Sequence, residues 1–206
     1  MPKTSRAIQE LIKEHRAALT GFERKTTEIE KIREILVDLL RRDGALLLCG
    51  NGGSAADCIH WAAEWRVRFK NDRRALRAEA LVTDVATLTA AGNDLGFEKI
   101  FSRQIEAVGR KGDILIAIST SGNSKNILRA IETAKKKMIM TIGFGGRGGG
   151  KMAKLVDIPF IIDAESTTRI QEMHELAMHI LCELVDQSVA VEKIIKHGRS
   201  RRPVQK

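Results

Sequence analysis

The sequence predicts an α/β fold, a three-layer sandwich whose five-stranded parallel sheet is preceded by two N-terminal helices. Three observations carry that reading. Short apolar runs alternate with helical segments from residue 45 onward. The runs are continuous rather than alternating, as strands covered on both faces are. Two amphipathic segments come before the first run.

In chain order, Ser5 to Phe22 spaces Ile8, Leu11, Ile12, Ala17 and Leu19 among charges, and Thr26 to Arg42 does the same with Ile29, Ile32, Ile35, Leu36 and Leu39. Both spacings predict helices. Standing ahead of the first strand, they are not crossover helices. They either cap the core or form an oligomer interface, and the interface is the favoured expectation. Strands are expected at Ala45 to Cys49, Ala80 to Val82, Ile114 to Ile118, Ile139 to Gly143 and Ile158 to Ile162. Helices are expected between them at Ser54 to Phe69, Asp84 to Ala91, Phe97 to Val108 and Ser124 to Lys136, with a weaker one near Lys151 to Leu155. A long last helix should run from Thr168 to about Lys196. Residues 1–195 then form one domain, and the basic tail 196–206 is expected to be disordered.

Composition narrows the function classes. At 206 residues, 43% apolar and 30% charged, the chain has enough material for one sizeable core. Six Phe, two Trp and no Tyr leave few rings for stacking on bases, so nucleic acid is not an expected partner despite the net charge of +9. That charge lies in local clusters, Arg73 with Arg74, Lys135 to Lys137 and the tail, which read as solvated faces. Cys49, Cys58 and Cys182 form no pairing pattern, which suits reduced thiols in a cytoplasmic protein. No signal peptide is visible, and no apolar run approaches the roughly 20 residues of a membrane helix.

Two strand-to-helix junctions carry candidate chemistry. Gly50, Asn51, Gly52 and Gly53 turn the chain into a helix for which Ser54 is the expected N-cap. Ser119, Thr120, Ser121, Gly122, Asn123 and Ser124 follow the third strand. Backbone N–H groups at a helix start, joined by hydroxyls, suit a phosphate, and strand carboxyl ends are where α/β sheets bind ligands. The spacing Gly50, Gly52, Ala55 formally fits a dinucleotide fingerprint, but the acidic residue should end the next strand about 20 positions on, where Lys70 to Arg74 stand, and that strand ends later, at Thr83 and Asp84. No P-loop occurs either, so no nucleotide cofactor is expected. On the first crossover helix His60 and Glu64 share a face, and Gln171, Glu172, His174, Glu175 and His179 form a second polar set on the last helix.

These residues together resemble a known family. GNGGSA at 50–55, LTAAGND at 88–94, STSGNS at 119–124 and RIQEMHELAMH at 169–179 are similar to the sugar-isomerase (SIS) domain family over about residues 5–187. Their co-occurrence in this order resembles the members that convert sedoheptulose 7-phosphate to glycero-manno-heptose 7-phosphate in heptose biosynthesis. The resemblance implies a flavodoxin-like sheet and a homotetramer with active sites between subunits. It implies that Ser119, Thr120, Ser121 and Ser124 hold the phosphate and that Asn51, Gly52, Gly53 and Ser54 line the sugar. Asn93 and Asp94 would bind hydroxyls, with Arg68 beside the base and Gln171 adjacent. Glu64 and His179 would be the acid/base pair, and His60, Glu64, Gln171 and His179 match a zinc set found in some members. Zinc is an optional ligand here.

Two departures stand out. Thr168 occupies a position where some relatives carry Asp, which would pass that role to Asp163 or Glu165. The loop Gly145 to Gly150 lacks the Asp often found there, and its place after a strand makes it a turn rather than an RNA-binding segment. A competing class is the non-catalytic SIS protein, such as the type that binds the replication initiator. Those relatives tend to lose the acid/base residues, so Glu64 and His179 favour an enzyme. A sugar-phosphate-sensing regulator would add a helix-turn-helix domain, and none is visible.

Overall fold

Alternate residues of each strand face opposite layers, and the core divides accordingly. In β1 (Leu46–Gly50), Leu46 and Leu48 join one apolar cluster while Leu47 and Cys49 join the other. In β3 (Ile114–Ser119), Ile114, Ile116 and Ile118 face the first cluster, and Leu115 and Ala117 the second. The structure is a computed structural model that describes residues 3–199, with side chains over 4–189. β2 (Ala78–Ala80), β4 (Met140–Gly146) and β5 (Ile158–Ile162) complete a parallel sheet in the order β2-β1-β3-β4-β5. The order reverses between β1 and β3, which opens a crevice at their carboxyl ends.

The first layer holds α1 (Lys3–Phe22), α2 (Thr26–Arg41), α3 (Gly53–Arg66) and α8 (Thr167–Arg199). The second holds α4 (Val85–Asp94), α5 (Ser102–Val108), α6 (Lys125–Lys136) and α7 (Met152–Leu155). The N-terminal pair splits in its behaviour. Ile29, Ile32, Leu36, Val37 and Leu39 of α2 are buried in the chain's own core. α1 leaves Ile8, Leu11 and Ile12 about half exposed on its outer side. A contact from His15 Nδ1 to Glu172 Oε2 at 2.6 Å ties α1 to α8.

Several boundaries differ from expectation. β2 begins two residues before the apolar run at Ala80, because its backbone follows β1 from Ala78. The segment expected as one helix from Phe97 to Val108 is a short 3₁₀ turn at Phe97–Lys99 and then α5. α8 continues to Arg199, and the tail residues 200–206 lie outside the described residues. The Arg73 side chain is buried rather than part of a solvated pair. Among the described residues no helix is long and apolar enough to cross a membrane.

Candidate active site

The glycine turn is made by conformation rather than by a side-chain cap. Gly52 takes φ 56°, a left-handed backbone that glycine adopts at little cost. It replaces Ser54 as the N-cap of α3, its carbonyl accepting from the N–H groups of Ala55 and Ala56 at 3.0 and 3.3 Å. Ser54 is buried within the first turn. At Gly53 the amide of Gln171 occupies the space that a Cβ would need, so α8 approaches the turn directly.

The serine loop is folded on itself and backed by glycines. Gly122 N–H donates to the Ser119 carbonyl at 3.0 Å, and the Ser119 and Ser124 hydroxyls lie 3.3 Å apart. Ser124 caps α6 by position, but its hydroxyl makes no capping bond, which leaves it for a ligand. Thr120 and Ser121 are partly exposed. The segment after β4 packs against this loop: Met152 N–H donates to the Gly122 carbonyl at 2.9 Å and Lys151 N–H to Asn123 Oδ1 at 3.2 Å. Side chains at 149 and 150 would strike Ala153 and Asn123. This accounts for the glycine run as a turn.

Asn126 joins the two loops, and the sequence reading missed it. Asn51 Nδ2 donates to Asn126 Oδ1 at 2.9 Å, and Asn126 Nδ2 donates back to Asn51 Oδ1 at 2.8 Å. A signal existed: Asn126 is a polar residue on the buried side of α6, beside Ile127 and Ala130. Next to this pair opens a cleft of about 650 Å³, within the usual range for small ligands. Asn51, Ser124, Lys125 and Asn126 line one side of it, and Leu95–Lys99 the other. Asn93 and Asp94, at the end of α4, immediately precede that second wall and bond to each other at 2.7 Å.

A cluster of titratable groups sits between α3 and α8. His60 Nε2 is 3.3 Å from Glu64 Oε1, and His60 Nδ1 is 3.4 Å from Glu175 Oε1. The His60 and His179 rings meet edge-on at 5.0 Å, and Phe69 stacks on His179 at 5.9 Å. Gln171, Glu175 and His179 follow at four-residue steps, one face of α8. Donor atoms of His60, Glu175 and His179 lie within 4.8 Å of one another. Two imidazoles and a carboxylate suit zinc, so this set fits such an ion. Glu175 thus stands beside His60 and His179 as a donor that the sequence reading did not include in the set, and Glu64 contacts His60 as well.

Asp57 was not foreseen, and His174, grouped by sequence with the polar set of the last helix, turns inward instead. Burial, then the Glu175 carboxylate, pushes Asp57 up to about 6, with His60 opposing, and Asp57 Oδ2 is buried without a partner. Burial pushes His174 down to about 4, so it is a neutral core residue, with Nε2 at 3.1 Å from the Gly145 carbonyl. Arg68 is exposed in the loop after α3. Thr168 is exposed and bonds to Ser166 at 2.8 Å. Asp163 and Glu165 line a separate cleft of about 340 Å³ with Glu14 and Arg169, so they are not brought to the cleft beside Ser124.

Residues 10–146 match the SIS domain family. The chain belongs to that family. Within it, the chain is 47% identical over 175 residues to phosphoheptose isomerase 1 of Campylobacter jejuni, covering 85% of this chain and 94% of the relative. Solved phosphoheptose isomerases from Francisella tularensis and Neisseria gonorrhoeae superpose with TM-scores of 0.87 and 0.85 at 34% and 38% identity. Each match covers 90% of this chain, with 99% and 100% of the respective relative. The chain is thus an isomerase of the SIS family, and its SIS sheet carries both loops at the strand-order reversal.

Proposed function

We propose that the protein isomerises D-sedoheptulose 7-phosphate to D-glycero-D-manno-heptose 7-phosphate through an enediol. The observation that supports this most is the pairing of two unlike parts. A phosphate-type serine loop is joined through Asn51 and Asn126 to a glycine turn, and that turn opens the helix bearing His60 and Glu64. The similarity to phosphoheptose isomerases agrees with it.

Moving the carbonyl from C2 to C1 takes a proton from C1 and returns one to C2, while a further proton passes between O1 and O2. Glu64 is the base in this proposal: half-buried beside His60, it can collect and return the carbon-bound proton. His179 is the acid that serves the oxygens, since an imidazole can both donate and accept a proton. Ser119, Thr120, Ser121 and Ser124 hold the phosphate through hydroxyls and N–H groups. Asn51, Gly52, Gly53, Ser54, Gln171, Asn93 and Asp94 bind the sugar, and Arg68 lies near the base. If zinc is bound, His60 and His179 would hold it together with Glu64 and Gln171 or with Glu175, and it would supply Lewis-acid polarisation. The chain acts in the cytoplasm as a homotetramer, with the apolar outer side of α1 at a subunit contact.

A panel of C5 to C7 ketose phosphates, with products identified by NMR, tests the function. Turnover of the seven-carbon substrate is expected to exceed the others. Turnover of none of them would leave a partner-binding SIS protein as the better reading. Repeating the assay after verified metal removal and zinc re-addition tests the ion, and unchanged activity would make it dispensable. Light scattering should give about four chains, and an active monomer would refute the assembly.

A further inference from the structure

α3 stops at Arg66, three residues short of the apolar pattern, and a buried ion pair sits against its last turn. Arg73 Nε donates to Asp186 Oδ1 at 2.6 Å, with side chains only 4% and 1% exposed. Arg73 Nη2 donates to the Glu64 carbonyl at 2.7 Å, and Nη1 to the Trp65 carbonyl at 3.0 Å. Asp186 Oδ2 accepts from the N–H groups of Lys70 and Asn71 at 3.0 and 2.7 Å. One pair therefore joins the last turn of α3, the loop that follows, and α8 two turns beyond His179.

That junction frames the proposed chemistry. The Glu64 carbonyl is held by Arg73, while the Glu64 side chain reaches His60. Phe69 immediately precedes the N–H that Asp186 holds, and its ring stacks on His179. A buried ion pair is no strong source of stability, because desolvation offsets much of its attraction. An apolar pair could fill the volume. It could not bond four backbone groups in fixed directions, which a guanidinium fork and a carboxylate can.

We propose that Arg73 and Asp186 are positioning residues for the isomerase site, setting Phe69 on His179 and holding the turn that carries Glu64. Neither residue touches substrate. The inference rests on the isomerase reading above for its kinetic part.

The test uses Asp186→Asn, Arg73→Lys and Phe69→Leu in the full chain. Kinetics with sedoheptulose 7-phosphate are measured beside the ring-proton NMR shift of His179 in the substrate-free protein. Folded Asp186→Asn should lose about tenfold or more in kcat, since small misplacements of reacting groups cost that much. Its KM should change less than about twofold, because the serine loop on β3 is untouched. The His179 shift should move as the Phe69 ring leaves it. Arg73→Lys keeps the charge but not the fork, and should fall between wild type and Asp186→Asn in both readouts. Phe69→Leu leaves the ion pair intact and should reproduce the kcat loss.

A wild-type kcat and His179 shift in folded Asp186→Asn would overturn the proposal. Should that variant not fold, wild-type values in both Arg73→Lys and Phe69→Leu would overturn it instead. If the unaltered protein isomerises no heptose phosphate, the functional reading fails, and the His179 shift still decides whether the pair positions the site.

Discussion

The interface between α3 and α8 treats charge in opposite ways at its two ends. At the open end His60, Glu64, Glu175 and His179 crowd together half-exposed, and Asp57 beside them has a buried oxygen with no partner. At the closed end Arg73 and Asp186 are sealed from water, and every polar atom of both carries a bond. Fully satisfied charge is committed to holding the chain. Charge left partly unsatisfied is free to exchange protons or take a ligand, which favours the open end as the reacting one in the proposed function.

The contrast can be broken most decisively at Glu64. Glu64→Gln keeps the shape and removes the proposed base, so turnover should fall about 10³-fold while calorimetric affinity for the phosphosugar stays within about twofold. Turnover near that of the unaltered protein would falsify the open end as the reacting one. At the closed end, Arg73→Met strands a buried carboxylate and should cost about 3–5 kcal/mol in urea unfolding. A loss below about 1 kcal/mol would mean that the closed end is not a scaffold.

The smallest effect should have the opposite sign. Asp57 has a raised pKa in the folded chain, so folding takes up a proton between about pH 4 and 6, and stability falls as pH rises through that window. In metal-free protein, Asp57→Asn should therefore be the more stable form at pH 7, by about 1 kcal/mol after allowance for partial exposure. The difference should vanish near pH 4. Equal stability at both pH values would show that Asp57 is not strained.

How far the site was legible depended on the distance over which its signals act. The glycine turn and the serine loop were visible because each is a local string whose backbone needs and hydroxyls lie within six residues. Their link was not, since Asn51 and Asn126 are 75 positions apart and each looks like an ordinary loop or helix-start residue. His60 and Glu64 were visible as a pair through helical spacing. The entry of Glu175 beside His60 and His179 required the actual rotation of α8 against α3. Arg73 was misread as solvated because charge beside charge usually faces water, and its neighbour Arg74 does, contacting Asp43 at the surface. The charge that balances buried Arg73 comes from Asp186, 113 positions away.

Residue order by itself determined the sheet, the helices on either side of it and the two loops at strand ends. Those features follow from periodicity, backbone freedom at glycine and the needs of a helix N-terminus, all forces that act within a few residues. Tertiary structure alone decided which charges face one another, where α3 ends and which carboxylate meets the two imidazoles. Burial and charge pairing depend on what a distant segment brings to the same place, and spacing along the chain does not encode that.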